Sequence, residues 1–247
     1  MINQIIENFQ PRFGDRKVNI DCHVGETSHP EGFRLEARKV SGAVDAKIVY
    51  RDQRAIRYAL NSLLRFVDSD IDSLEIEEAP DFAIRGVVEG FYGKPWSHQQ
   101  RIKALRNFGD FNFNTYFIAP KDVPWQRFNW RAPFNEEFLK LTKELVEVGR
   151  LNAIQVTACV SPGLSVKYSD TKDVEAVVAR FKQLYEIGSR HFSLLWDDIA
   201  WELQHPEDIA KFPTTAHAQA CFTNQVWDAM LKICLLYTSP SPRDQRG

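Results

Sequence analysis

The sequence lacks the features that would place it in several broad classes of protein. Its net charge is -2, from 31 basic and 33 acidic residues. Because binding to a phosphate backbone requires clustered lysines and arginines, we do not expect nucleic acid as a partner. No apolar run reaches the roughly 20 residues that span a bilayer, and the first residues lack the basic and apolar stretches of an export signal. We therefore expect a soluble protein with no membrane partner, cytoplasmic by default and secreted if the natural start lies upstream of Met1.

Cysteines and histidines are few and dispersed. The four cysteines are Cys22, Cys159, Cys221 and Cys234, and none of them has a paired spacing. The six histidines form no H-E-x-x-H or H-x-x-E-H group. Such spacings are typical of zinc and redox sites. We therefore predict reduced cysteines without a catalytic role, no metal and no cofactor.

Apolar residues make up 44% of the sequence, and their spacing follows one pattern in the first 80 residues and another after them. Residues 1–80 carry short β-branched runs at 17–24, 33–40 and 46–50 and a helical pattern over 52–67, which predicts a small α/β domain. The acidic stretch 75–81 is predicted to be a linker. Residues 81–233 form a second region, and the segment 234–247 resembles a translated sequencing adapter, so we expect it to be foreign to the fold.

The second region repeats a strand followed by a helix four times, at about 30 to 40 residues per repeat, which is typical of βαβ units in a parallel sheet. The predicted strands lie at 83–89, 115–119, 153–160 and 192–196, and the predicted helices lie at 97–108, 135–149, 173–188 and 215–232. Loops after the carboxyl ends of parallel strands commonly hold the chemistry. Polar, charged and glycine residues follow these strands, so we expect a site at that edge.

Two adjacent carboxylates, Asp197 and Asp198, follow the fourth predicted strand. Both can serve one site because the strand ends there, and partial burial is expected to raise the pKa of one of them into the range of a general acid. The alternative is a helix N-cap.

The segment Glu89–Gly93 follows the first predicted strand, and Lys121 follows the second. They are suited to binding a sugar, with an ordinary turn and a surface lysine as the alternatives.

Four segments carry a resemblance to a known family. They are Arg-Gly-Val-Val-Glu-Gly-Phe-Tyr-Gly-Lys-Pro-Trp (85–96), Asn-Thr-Tyr-Phe-Ile-Ala-Pro-Lys-Asp (114–122), Ser-Pro-Gly-Leu (161–164) and Leu-Trp-Asp-Asp-Ile (195–199). In this order they resemble glycoside hydrolase family 84, the O-GlcNAcases and bacterial β-N-acetylglucosaminidases, some of which are labelled hyaluronidases. The resemblance implies an α/β fold: a (β/α)8 TIM barrel of which only about the first four βα units are present, preceded by a small α/β domain.

The same resemblance implies retaining hydrolysis of a terminal β-linked N-acetylglucosamine, with the acetamido oxygen of the substrate as nucleophile and an oxazoline as intermediate. The expected substrate is a glycan or glycoprotein. Asp197 would orient the acetamido group, and Asp198 would act as general acid and then as general base. The remaining implied contacts to the sugar come from Gly90, Phe91, Tyr92 and Lys121.

One further expectation follows from the length of the second region, and two alternative functions are considered. A closed barrel needs eight strands, so we expect residues 1–247 alone to be inactive. The alternative function is a carbohydrate-binding protein that has the same barrel and no turnover. A doubly wound nucleotide-binding domain is disfavoured because no G-x-G-x-x-G or G-x-x-x-x-G-K-[ST] motif follows the first strand.

Overall fold

The computed structural model describes residues 1–233, so the segment 234–247 lies outside the described residues. The chain forms two compact units that alternate along the sequence. Within the described residues, the first unit comprises Met1–Val87, Ser97–Tyr116 and Leu145–Gln155, and the second comprises Val88–Trp96, Phe117–Glu144 and the chain from Val156 to Ile233. Within residues 1–233, none of the helices has both the length and the apolar character needed to cross a membrane.

The first sheet belongs to the first unit. Its elements are α1 (Ile2–Phe9), β1 (Lys17–Val24), β2 (Phe33–Val40), β3 (Ala43–Tyr50), α2 (Arg54–Val67) and β4 (Ser73–Glu78), with a 3-10 turn at Gln10–Phe13. The strand order is β1-β3-β2-β4, with β1 parallel to β3 and β2 antiparallel to both β3 and β4. The three predicted strands and the predicted helix are confirmed.

The alternation of side chains in β2 explains why this sheet has one buried face. Leu35 and Ala37 are buried and Glu36 is exposed. Successive side chains of a strand point to opposite faces, so the apolar set packs inward. There it joins the buried face of α2, which includes Ile56 and Leu60, in one apolar core.

The prediction of a linker over 75–81 is wrong for most of that segment, because β4 covers Ser73–Glu78. Leu74 and Ile76 are partly buried against the first core, while Glu75 and Glu77 are exposed. This is the period of two that a strand requires. The acidic side chains lie on the solvent face of an edge strand, where charges are tolerated and discourage pairing with another chain.

The second sheet contains the strand ends that matter for the site. Its elements are β5 (Gly86–Glu89), α3 (His98–Asp110), β6 (Thr115–Ile118), α4 (Pro124–Arg127), α5 (Glu136–Leu151), β7 (Gln155–Val160), α6 (Thr171–Glu186), β8 (Ser193–Leu194), α7 (Pro206–Lys211) and α8 (Thr215–Ile233). The order β5-β6-β7-β8 follows the chain, and β7 and β8 are parallel. The predicted α/β class with a parallel sheet and intervening helices is confirmed. The short helices α4 and α7 were not predicted.

Local sequence explains two junctions of this sheet. Ser97 and Gln100 form a capping box that begins α3, which satisfies backbone N–H groups at the helix start. Gly86 begins β5, and a β-carbon there would lie 1.8 Å from the backbone oxygen of Thr115. Only glycine permits this approach of the two strands.

The second unit has its own apolar core between β7, α6 and α8. Val160, Val177, Phe181 and Phe222 are buried in it. Trp130 is also fully buried there, and its indole N–H donates a hydrogen bond of 3.1 Å to Ser165 Oγ. The core includes Val160 at the end of β7 and Leu194 at the end of β8, so the loops after these two strands begin from fixed positions.

Candidate active site

The loops after β5, β6 and β8 meet at the carboxyl edge of the second sheet, within the second unit. The backbone pairing of β5 and β6 continues past their ends, where the N–H of Lys121 donates to the carbonyl of Phe91 over 3.1 Å. The pairing of β7 and β8 likewise continues to the N–H of Leu195, which donates to the carbonyl of Val160 over 3.0 Å. These bonds extend each loop from a rigid strand, so the side chains that follow have defined positions.

Lys121 and the two adjacent aspartates form the centre of the site. The side chain of Lys121 is 3% exposed, while those of Asp197 and Asp198 are 53% and 48% exposed. The ammonium donates to Asp197 Oδ2 and lies 3.5 Å from Asp198 Oδ2. One buried cation therefore stabilises two carboxylates that would otherwise repel each other. In this state the ammonium faces the aspartates, and its contact to a sugar hydroxyl remains a prediction.

Asp198 has an unusual backbone conformation. Its φ is +52°, in the left-handed region that aspartate and asparagine occupy more readily than other non-glycine residues. The chain after it is irregular until α7 begins at Pro206. The alternative that the pair caps a helix is therefore wrong. The turn directs the carboxylate of Asp198 toward Tyr92, whose hydroxyl donates a hydrogen bond of 2.8 Å to Oδ2.

The electrostatic surroundings of Asp198 differ from the expectation. The hydroxyl of Tyr92, followed by the charges of Lys121 and Arg127, holds the pKa of Asp198 below its ordinary value. The sequence predicts that partial burial raises the pKa of one of the two aspartates. The expectation is wrong for Asp198 because the carboxylate is half exposed and is surrounded by hydrogen-bond donors, which favour its charged form.

The loop after β5 is folded back on itself by two carboxylates. Glu89 is fully buried and its Oε1 accepts the backbone N–H of Trp96 at 3.0 Å. Asp122 Oδ2 accepts the N–H of Gly93 at 2.6 Å, and Gly93 has a φ of +92° that favours glycine. Between these anchors the chain passes through Gly90.

The aromatic pair of this loop is presented to solvent at the same edge. Tyr92 is mostly exposed and contacts Asp198, as described above. Phe91 is partly exposed, and its ring centroid lies 6.0 Å from that of Trp96. The structure thus brings Tyr92, Lys121, Asp197 and Asp198 into one cluster, and it places Gly90 and Phe91 in the adjoining loop.

Sequence reasoning missed Arg127, the last residue of α4. The residue is 4% exposed, and its two terminal nitrogens donate to Tyr92 Oη over 3.1 Å and to the carbonyl of Asp198 over 2.8 Å. The neighbouring Gln126 is also buried and donates to Ser161 Oγ over 3.0 Å. A proline two residues after Asp122 was the one local signal of a helical turn that could direct these side chains inward.

No metal or redox centre is formed by the described residues. Within residues 1–233, no group of three or more histidine, cysteine, aspartate or glutamate side chains could hold a metal ion. Cys22, Cys159 and Cys221 are free thiols. Burial raises the pKa of Cys159 to about 12, so this thiol remains protonated beside the site.

The profile of a family described as beta-N-acetylglucosaminidase matches residues 85–235, which include the carboxyl ends of β5, β6, β7 and β8. The chain belongs to this family. The resemblance to glycoside hydrolase family 84 that the strand-end motifs carry is thereby confirmed, and the chain contains a glycoside hydrolase domain.

Individual members of the family are similar over the same region. The protein O-GlcNAcases of Rattus norvegicus and Mus musculus are each 36% identical to the chain over 142 residues, which is 58% of this chain and 15% of each relative. A mutant of the O-GlcNAc hydrolase of Thermobaculum terrenum has a TM-score of 0.61 and 36% identity, covering 62% of this chain and 33% of that one. The chain thus spans about 15% of the length of the curated relatives it matches.

Proposed function

We propose that the protein containing this chain is a retaining β-N-acetylglucosaminidase of the O-GlcNAcase type, acting on N-acetylglucosamine attached to a glycan or a glycoprotein. The observation that carries the proposal is the cluster of Lys121, Asp197 and Asp198 at the carboxyl edge of a parallel sheet. Family membership supports the reaction class. The similarity to proteins named O-GlcNAcase supports the substrate class.

In the proposed first step the acetamido oxygen of the substrate attacks the anomeric carbon. A carbon–oxygen bond forms there, and the bond to the leaving oxygen breaks. Asp198 gives its proton to that oxygen, while Asp197 accepts a hydrogen bond from the acetamido N–H and so stabilises the positive charge of the oxazoline ring. No carboxylate of the protein needs to attack the sugar, which is why two adjacent aspartates suffice.

In the proposed second step water attacks the same carbon from the opposite face. Asp198, now a carboxylate, takes a proton from the water, and the ring bond between the anomeric carbon and the acetamido oxygen breaks. The acetamide is restored, this one proton leaves Asp198 protonated for the next cycle, and two inversions leave the anomeric configuration unchanged. In the free protein the hydroxyl of Tyr92 and the charges of Lys121 and Arg127 stabilise the charged form of Asp198, which lowers its pKa. Asp198 gains its proton for the first step when Lys121 turns from the carboxylates to a sugar hydroxyl.

For the fold, we propose that residues 81–233 correspond to the first four units of a (β/α)8 barrel and that residues 1–80 form the preceding small domain. The strand order β5-β6-β7-β8 within the described residues supports this correspondence. We expect a polypeptide of residues 1–247 alone to show no turnover of a chromogenic β-N-acetylglucosaminide, because the proposed barrel requires eight strands. Turnover by this polypeptide would contradict the proposal that residues 81–233 are only the first four units of the barrel.

The proposed function is tested with the protein translated from the complete natural reading frame. Hydrolysis of 4-nitrophenyl β-N-acetylglucosaminide is expected, and proton NMR of the first-formed sugar should show the β-anomer. Substrates with mono-, di- and trifluoroacetyl groups should react progressively more slowly because fluorine weakens the attacking oxygen. Inversion, or equal rates across the series, would contradict the mechanism. Binding of N-acetylglucosamine without turnover would favour the carbohydrate-binding alternative.

A further inference from the structure

Arg127 contacts Asp198 in two ways. It contacts the backbone of Asp198 directly, and it contacts Tyr92, which is hydrogen-bonded to the carboxylate of Asp198. One terminal nitrogen donates to Tyr92 Oη over 3.1 Å, and the other donates to the carbonyl of Asp198 over 2.8 Å. The planar guanidinium presents its donors in a fixed arrangement, so the two acceptors are held in a fixed relation to each other.

The contact to Tyr92 also fixes the direction of the next hydrogen bond. A phenolic hydroxyl has one proton, and its oxygen already accepts a hydrogen bond from Arg127. The proton is therefore directed to Asp198 Oδ2, 2.8 Å away. Arg127, Tyr92 and Asp198 thus form a directed chain of hydrogen bonds that ends on one carboxylate oxygen.

The contact to the carbonyl acts on the turn itself. Asp198 has a φ of +52°, a conformation that costs free energy for a residue with a side chain and therefore requires support from its surroundings. The charge-assisted hydrogen bond from Arg127 to its carbonyl supplies such support. Without it, the carboxylate could rotate away from Tyr92.

The burial of Arg127 fits a role at the site better than a role in packing. Its Nε is buried and has no hydrogen-bond partner among the described residues. Burial of an unpaired donor on a charged group costs free energy, so packing alone does not account for an arginine at this position. Residues that lower stability in this way are typical of functional sites.

We propose that Arg127 is a positioning residue for Asp198, acting through the hydroxyl of Tyr92 and through the carbonyl of Asp198. Arg127 does not touch the reacting atoms. It sets where the carboxylate of Asp198 lies and directs one hydrogen bond onto it. The inference rests on the proposed function for its catalytic consequence and on the hydrogen-bond geometry alone for its effect on Asp198.

The kinetic test compares Arg127→Met, Arg127→Lys and Tyr92→Phe in the complete protein. For Arg127→Met we expect kcat to fall about 10- to 100-fold with KM little changed, since a misplaced catalytic group affects the chemical step. The alkaline limb of the pH profile of kcat/KM should move to higher pH, because the charged form of Asp198 loses stabilising donors. Arg127→Lys keeps the charge and cannot hold both acceptors, so it should restore the profile only in part.

A double-mutant cycle shows whether Arg127 acts through Tyr92. The two substitutions together should reduce kcat by clearly less than the product of their separate effects. Arg190→Met is the matched control, because Arg190 is exposed and its guanidinium also contacts a tyrosine ring and two backbone carbonyls, those of Tyr185 and Ser189. It should leave kcat and the pH profile unchanged. The proposal would be overturned if the effects of Arg127→Met and Tyr92→Phe on kcat multiply as independent effects do, or if the alkaline limb of kcat/KM stays in place in Arg127→Met. It would also be overturned if Arg127→Lys has wild-type kinetics.

A second readout does not depend on turnover. Carbon-13 NMR of aspartate-labelled protein, with Asp198→Asn to assign the resonance, measures the pKa of Asp198 directly. Arg127→Met should raise that pKa, and Arg190→Met should not. If the wild-type protein proves to be inactive, the proposed function fails and this titration still decides the role of Arg127. An unchanged pKa in a folded Arg127→Met or Arg127→Lys protein would overturn it.

Discussion

Among residues 1–233, each unit has a cluster in which arginine or lysine, tyrosine and carboxylate side chains meet, and these two clusters differ in exposure. In the first unit the side chain of Glu31 is 6% exposed and accepts hydrogen bonds from Arg85 at 2.8 Å and from Tyr58 at 3.2 Å, while Arg54 lies 3.0 Å away. Asn114 also donates to it. In the second unit the carboxylate of Asp198 is 48% exposed and has contacts from Tyr92 and Lys121.

The difference shows what separates a structural cluster of charges from a site. Both oxygens of Glu31 are surrounded by protein donors, and burial raises the pKa of Tyr58, so the tyrosine remains a donor. Arg54, Arg85, Tyr58 and Asn114 contact both oxygens of Glu31, so this carboxylate is already partnered by protein groups. Asp197 and Asp198 keep about half of their surface open to solvent, and the cation between them is the buried partner. Their free acceptor sites are what a substrate could occupy.

The largest expected effect is a loss of activity when Asp198 of the exposed cluster is replaced. In the complete protein, Asp198→Asn should reduce kcat/KM by about 100- to 10,000-fold on substrates with poor leaving groups, because asparagine cannot donate the proton. On 4-nitrophenyl substrates, whose leaving group needs no proton, the loss in the first step should be much smaller. Steady-state kinetics over a series of leaving groups measures this. Asp228→Asn, at an exposed position of α8, is the control. An undiminished rate would exclude Asp198 as the acid.

The second largest expected effect is a loss of stability when the buried cluster around Glu31 is disrupted. Glu31→Gln leaves two arginines without their buried carboxylate, and breaking a buried pair in this way lowers the free energy of unfolding by about 3–5 kcal/mol. Urea unfolding measures the change. Glu147→Gln breaks the exposed pair with Arg150 and should cost about 0.2–1 kcal/mol. Equal losses for the two variants would remove the contrast between buried and exposed charges.

Lys121→Met tests the cation that the two aspartates share. Removal of the ammonium should raise the pKa of Asp198 and move the alkaline limb of kcat/KM to higher pH, with a fall in kcat/KM of about 10- to 100-fold. Lys167→Met is the matched control, since Lys167 forms an exposed pair with Glu207 over 2.7 Å. If the two variants have the same kinetics, Lys121 has no special role in the site.

The smallest expected effect is that of Asp198 on stability. Its pKa is lower in the folded protein than in the unfolded chain, so its contribution is present above about pH 4, the ordinary pKa of aspartate. That contribution disappears as the pH falls through the lower pKa of the folded state. Because the carboxylate is exposed, the unfolding midpoints of the wild type and Asp198→Asn should differ only slightly at pH 7 and converge under acid. Midpoints that diverge on acidification would contradict the direction of the pKa shift.

The sequence by itself determined the secondary structure and the edge at which the site lies. The spacing of apolar residues predicts β1, β2 and α2 because burial of one face requires that period. The order of strands and helices in 81–233 placed Tyr92, Lys121 and Asp198 after strands of one parallel sheet, and such strands end at the same edge. Leu74 and Ile76 carried the same kind of signal for β4, which the acidic residues Glu75, Glu77 and Glu78 of the same segment obscured.

Only the tertiary structure decided how the charged groups of the site are paired. That Lys121 faces the aspartates, that Arg127 reaches Tyr92 and that the pKa of Asp198 falls are consequences of distances between residues far apart in the chain. Hydrogen bonds and electrostatic interactions in proteins depend steeply on distance, angle and exposure, none of which has a period in the sequence. Local patterns could therefore predict where these side chains gather, and only their packing shows what each one contacts.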